Sequence, residues 1–285
     1  MKTKLPILLS LQAFLFFAFT EKDDFSSLLK SRFTQNYVPI PAGEVVIDGN
    51  KNTVETFAIS RYEITNQQYN DFLQTLDDKT RYQARINNEG WLQAFSEDWG
   101  LEKSYHTQKA WADNPVVNIT REGAELYCQW LTEQYKKENT NDWEVVFRLP
   151  THQEWVRAAR GDKHHDKYAW NSPYVETADG RYRCNFRRLG EEQIYFNAST
   201  NTYEVIRGKV KGAVPTTVNV DDFSPNNFGL HNVCGNVAEM IHRENIAAGG
   251  SWNDPGYDVR IESRKSVQGA SPYVGFRPVM IATRK

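Results

Sequence analysis

Three stretches of the chain repeat apolar residues at helical spacing. The first opens at Thr65, with Gln68 three residues on. That pair forms a capping box, and Tyr69, Phe72, Leu73 and Leu76 follow at i, i+3, i+4 and i+7. The second opens near Thr120 and carries Ala124, Tyr127, Cys128 and Leu131 on one face. The third follows Pro150. Thr151 and Glu154 make a second capping box, Trp155, Ala158 and Ala159 face inward, and Gly161 ends the helix. Short apolar runs at 45–47, 55–59, 145–147, 247–248 and 279–281 read as strands. Beyond about residue 162 turn signals and long connections dominate. The pattern predicts an α+β domain with little regular secondary structure, and loops of this length call for metals, disulfides or dense side-chain networks to stiffen them.

The N-terminal pattern differs. Lys2 and Lys4 precede an almost wholly apolar run over 5–20, and polar Glu21 to Asp24 follow. This is the layout of a secretory signal peptide over residues 1–20, with Ala18 and Thr20 as an approximate small-x-small site. An uncleaved anchor is the alternative. No cysteine follows the run, so a lipoprotein is not expected, and there is no transmembrane span beyond the signal segment. Residues 21–36 read as a polar lead-in and 37–285 as the folded domain. The expected location is secreted, periplasmic or outer-envelope.

Lys+Arg number 34 against Asp+Glu 36, and no long basic run occurs, which argues against nucleic-acid binding. Aromatic residues make up 13% of the chain, and large buried rings are their commoner use in loop-rich cores. Cys128, Cys184 and Cys234 allow one disulfide, for which Cys184–Cys234 is the candidate; three buried thiols are the alternative. Adjacent His164 and His165 lie in a polar stretch, His152 sits in a first helical turn and reads as surface, and no spaced His/carboxylate set for iron is present. There is no Gly-x-Ser-x-Gly elbow or phosphate-binding glycine loop.

Several blocks, in order, resemble the sulfatase-modifying-factor family, also called the formylglycine-generating-enzyme (FGE) domain. They are Val38-Pro39-Ile40-Pro41-Ala42-Gly43-Glu44, Tyr62-Glu63-Ile64-Thr65-Asn66, Asn114-Pro115-Val116-Val117-Asn118, and Arg148-Leu149-Pro150-Thr151 with Glu154-Trp155. Leu230-His231-Asn232-Val233-Cys234-Gly235-Asn236-Val237-Ala238-Glu239, Gly249-Gly250-Ser251-Trp252 and Gly275-Phe276-Arg277 close the set. The resemblance implies a fold related to the C-type lectin fold and structural calcium. Its calcium ligands would fall on Asn232, Gly235, Val237 and Glu239, the glycine and valine through their carbonyls. A second site would start at Asn185 and Phe186, with later ligands in 190–214, where this chain departs from the family pattern. Six to eight hard oxygen ligands suit calcium.

The family's enzymes oxidise a substrate cysteine to formylglycine with a copper-holding cysteine pair after the Gly-Gly-Ser segment. No cysteine follows Cys234 here, so copper and that activity are not expected. The chain is similar in this respect to bacterial gliding-motility and type IX secretion relatives. The resemblance then implies a non-catalytic binding or assembly module of the envelope, with a protein or glycan partner. Ser251, Trp252, Asn253, Asp254 and Arg264 are the candidate cleft. The alternative is a metal-dependent periplasmic oxidoreductase with a non-standard site.

Overall fold

The computed structural model describes residues 25–95, 99–139, 142–162, 167–188, 193–197, 199–206 and 216–285. The expected signal segment (1–20) and His164-His165 lie outside the described residues.

Local signals start each of the three long helices where the apolar spacing places them. At α1 (Asn66–Gln74) the Gln68 amide N–H donates to Thr65 Oγ1 at 3.1 Å, and the Thr65 N–H donates back to Gln68 Oε1 at 3.0 Å. Such a cap is worth about 1 kcal/mol. The short α2 (Asp78–Gln83) and α3 (Leu101–Ser104) follow. Thr120 caps α4 (Arg121–Glu138) through Gly123 N–H. Thr151 and Glu154 form the capping box of α5 (His152–Arg160), and Arg148 holds Glu154 with two bonds of 2.7 Å.

Four strands make the main sheet: β1 (Tyr37–Ile40), β4 (Phe57–Ser60), β5 (Trp143–Arg148) and β12 (Val279–Arg284). Their order is β1-β4-β12-β5 and every pair is antiparallel. Between β1 and β4 a hairpin of β2 (Gly43–Ile47) and β3 (Asn50–Val54) stands apart, as does a later hairpin of β6 (Gln193–Asn197) and β7 (Thr202–Ile206). The second sheet, of order β10-β9-β8-β11, comprises β8 (Ala238–Met240), β9 (Ile246–Ala248), β10 (Arg264–Ser266) and β11 (Val274–Gly275). Here β11 joins β8 in parallel, and the other pairs are antiparallel.

Side chains alternate across a strand, so a sheet covered on both faces reads as a continuous apolar run. All four residues of β4 are buried: Ala58 enters one core with Tyr69, Tyr127 and Phe147, while Phe57 and Ile59 enter another with Trp155 and Leu230. β12 splits the same way through Met280 and Val279. The three helices therefore clamp the main sheet, α1 and α4 over one face and α5 over the other. A third core gathers Trp91, Leu101, Tyr105, Val117, Val237 and Trp252 under the loops.

Two expectations change here. The folded part begins before residue 37: residues 25–28 form a helical turn, Leu28 is buried in the first core, and its carbonyl accepts from Thr34 Oγ1 at 2.8 Å. His152 is buried and not on the surface, because charged loop residues including Arg264, Glu244 and Asp48 come close around the first turn of α5.

Candidate functional site

The loop from Leu230 into β8 turns sharply. Asn232 and Asn236 have φ of 54° and 59°, in the left-handed region that asparagine enters more readily than most residues. Gly235 has φ 82°, and a Cβ there would lie 2.3 Å from the Asn185 carbonyl oxygen. The packing of this turn therefore requires glycine.

The turn delivers three polar side chains to the interior, where they meet Glu63 and Arg277. Glu239 is paired with Arg277 through Nη2 at 2.7 Å and Nε at 3.0 Å, and it accepts from Trp155 Nε1 at 2.8 Å. The Arg277 guanidinium, 0% exposed, also donates to the carbonyls of Ser60, Arg61 and His231 at 3.0, 2.6 and 2.7 Å. All five of its N–H donors have acceptors. This knot ties β4, the 231–239 turn and the segment before β12 to α5.

Glu63 is different. It is 0% exposed and makes no ion pair among the described residues. It accepts from Asn236 Nδ2 at 3.0 and 3.3 Å and lies 3.3 Å from Asn232 Nδ2. Burial pushes its carboxyl up to about 8, with Arg277 pulling against that shift and Glu239 adding to it.

The calcium set implied by the resemblance can be tested against this geometry. Glu239 has both oxygens engaged by Arg277 and Trp155, so its charge is already neutralised and it offers no oxygen without a donor. That does not fit a calcium ligand. Asn232 faces Glu63, not Glu239. Val237 places its side chain in the third core, and the Gly235 N–H bonds the Gly249 carbonyl. At the second expected site Asn185 Nδ2 donates to the Thr216 carbonyl at 2.8 Å, and the Phe186 ring packs edge-on to Tyr182. Much of 190–214 lies outside the described residues.

The Gly249-Gly250-Ser251 segment forms a second polar knot. Gly250 has φ 68°, and a Cβ there would lie 2.3 Å from the Asp258 carbonyl oxygen. Asp254 Oδ2 accepts from Ser251 N at 2.8 Å, from Ser251 Oγ at 2.6 Å and from Lys265 Nζ. Beside it is a cleft of about 350 Å³ lined by Gly250, Asp254, Asp258, Arg260, Arg264 and Lys265, among others. Of the expected rim, Asp254 and Arg264 line this cleft, Ser251 is buried beneath it and Asn253 is half-buried. Trp252 is not a rim residue. Its Nε1 donates to the Pro272 carbonyl at 3.0 Å, and its ring lies against Phe95 and Tyr273 with centroids 5.5 and 5.1 Å away. Sequence reasoning missed Lys265 and Arg260, which sit in ordinary polar stretches with no local signal.

Cys184 and Cys234 are free thiols in the structure, so the expected disulfide is not formed; Cys128 is free as well. All three are buried, and burial raises each thiol, Cys234 to about 12. Thiolate chemistry is disfavoured at such sites.

These features define a loop-rich α+β domain, organised around a buried charge network and a glycine-hinged cleft. The chain belongs to the FGE-sulfatase family: the sulfatase-modifying factor enzyme 1-like domain matches residues 25–282. It is 30% identical over 127 residues to a formylglycine-generating enzyme of Thermomonospora curvata, a match spanning 45% of this chain and only 32% of that protein. It is 23% identical to the inactive C-alpha-formylglycine-generating enzyme 2 of Bos taurus across 86% of this chain and 87% of that protein. Among solved structures, PvdO from Pseudomonas aeruginosa superposes with a TM-score of 0.57 at 17% identity, covering 88% of this chain and 95% of that one. CarF superposes with a TM-score of 0.54 at 19% identity, covering 85% and 97%. These two likenesses show the fold alone. They agree with the expected α+β, FGE-like architecture.

Proposed function

We propose that this protein is an exported, non-catalytic FGE-like module that binds a protein or glycan partner in the bacterial envelope, in the manner of gliding-motility and secretion components. One observation carries the reading. The segment that holds the cysteine pair in the family's enzymes here carries Asp254, whose carboxylate is committed to Ser251 and Lys265. The three thiols the chain does possess are buried elsewhere with raised pKa values. A site without an accessible thiolate has no soft ligand for Cu(I) and no nucleophile for disulfide exchange. The cleft beside Asp254 keeps instead a mixed set of charges, with Arg260, Arg264 and Lys265 facing Asp254 and Asp258. Such a set suits polar recognition of a surface or a sugar. The similarity to a relative named inactive, over most of both chains, supports the same reading.

The test is direct. The mature protein is incubated with a sulfatase-derived cysteine peptide, Cu(I), a thiol reductant and oxygen, and the peptide is weighed by mass spectrometry. The expected result is an unchanged cysteine. Conversion of that cysteine to the aldehyde would overturn the proposal.

A further inference from the structure

Three cations line the cleft beside Asp254, and two of them are already paired. Arg264 Nη2 meets Asp48 Oδ2 at 2.9 Å, and Lys265 Nζ meets Asp254. Arg260 has no carboxylate partner among the described residues. A guanidinium carries five N–H donors. One of them, on Nε, goes to the Tyr257 carbonyl at 2.7 Å, where Arg260 caps the 3-10 turn Gly256–Val259. The other four, on Nη1 and Nη2, have no acceptor among the described residues.

Arg260 is nonetheless held in place. Its guanidinium carbon lies 3.6 Å from the centre of the Tyr257 ring, a cation–π contact. The carbonyl bond fixes one edge of the fork and the ring fixes its plane. Most surface arginines give up rotamer freedom when they bind; this one has given up much of it beforehand, which favours association. The free Nη edge has the shape that takes a planar oxyanion with two parallel bonds.

The neighbours indicate what carries the oxyanion. Tyr257 is 68% exposed, so a large amphipathic ring stands open beside the fork. Asp258 is exposed, lines the same cleft, and its carboxylate has no partner among the described residues. An ionised carboxylate only accepts hydrogen bonds, and hydroxyl groups supply them. Ala247 is the one apolar side chain in the lining. Protein partners are commonly anchored by an aromatic or aliphatic side chain in a pocket, and this lining offers no such socket.

We propose that the cleft binds an acidic glycan through a sugar carboxylate. Arg260 takes the carboxylate on its two Nη groups, Asp258 accepts from the sugar hydroxyls, and Tyr257 packs against the sugar ring. This rests on the reading of the domain as a binding module and gives that module its ligand chemistry.

The mature chain is titrated by isothermal calorimetry with hexamers of galacturonate, mannuronate and glucuronate, to about 5 mM. Their methyl esters, a sulfated neutral hexasaccharide and hexaglutamate are run beside them. At least one uronate hexamer is expected to bind and its methyl ester is not. The sulfated sugar and hexaglutamate are expected to bind about tenfold more weakly or worse. Arg260→Ala should lower the affinity on the order of 10- to 100-fold. Arg260→Lys keeps the charge without the fork and should lower it about tenfold. Arg32→Ala removes an equal charge on the N-terminal turn and should change it less than about twofold. Melting curves show whether the Arg260 variants fold, and Tyr257→Ala, with an expected loss of about fivefold, is the second probe. No binding of any uronate hexamer, equal binding of the methyl ester, or undiminished binding by Arg260→Ala would each overturn the proposal. Preference for hexaglutamate or the sulfated sugar overturns it too, while leaving the binding-module reading in place. Aldehyde formation in the cysteine-peptide assay defeats that broader reading instead.

Discussion

At the scale of single residues, a few buried polar groups carry the sharpest predictions. His106 is held between Asn88 Oδ1 at 2.8 Å and the Val117 carbonyl at 3.1 Å, and burial lowers its pKa to about 4. The unfolded imidazole titrates near 6.5, so the folded state binds its proton more weakly than the unfolded state does. Its stabilising contribution is therefore complete above about pH 6.5 and is lost as pH falls toward 4. Buried Glu63, raised to about 8, changes stability in the opposite direction over the same window. The His106 contribution is therefore read as a difference: the urea stability of wild type relative to His106→Gln is expected to fall by about 2 kcal/mol between pH 7.5 and 4.5. Arg277 makes a sharper case. Arg277→Met leaves Glu239 buried without its counter-charge, and breaking such a pair costs about 3–5 kcal/mol. Arg277→Lys is expected to fail almost as badly, since an ammonium cannot reach the five acceptors that the guanidinium fork serves. Circular dichroism melts of both variants beside wild type would show it, and a wild-type Tm in Arg277→Lys would refute it.

Among the elements, the unexpected one is the turn at residues 25–28. Leu28 packs in the core that also holds Tyr135 and Phe147, and its carbonyl takes bonds from Thr34 and Tyr135. Leu28→Ala is expected to cost about 2–4 kcal/mol, measured as a drop in urea midpoint. A shift under about 0.5 kcal/mol would return 21–36 to the status of a loose lead-in. The reason this turn was hidden also explains what was visible. Capping boxes at Thr65–Gln68 and Thr151–Glu154 are written within four consecutive residues, so the helices could be read directly. The strands at 45–47, 145–147 and 279–281 were likewise legible, because alternation and turn residues are local. Leu28 owes its burial in large part to contacts more than 100 residues away, such as that with Tyr135. Glu63 and Arg277 each lie within blocks that resemble the family, yet their role depends on a meeting between the end of β4, the 231–239 turn and the segment before β12 that no spacing announces. Trp252 misled for the opposite reason: its neighbours suggested a cleft, while its ring turned into the third core.

For the whole molecule, the order of strands in the main sheet matters most. β12 lies between β4 and β5, and Val279 pairs with Ile59 across some 220 residues of chain. Neither neighbour can complete its pairing until residues 279–284 arrive. Long-range closure of this kind slows folding, because the loop entropy is spent before the contacts reward it. During synthesis, and during passage through a translocation channel if the proposed export occurs, the first two hundred residues would present an open sheet edge. Such an edge remains threadable, which a secretion machine requires, and is a target for holdase chaperones until the final strand slots in.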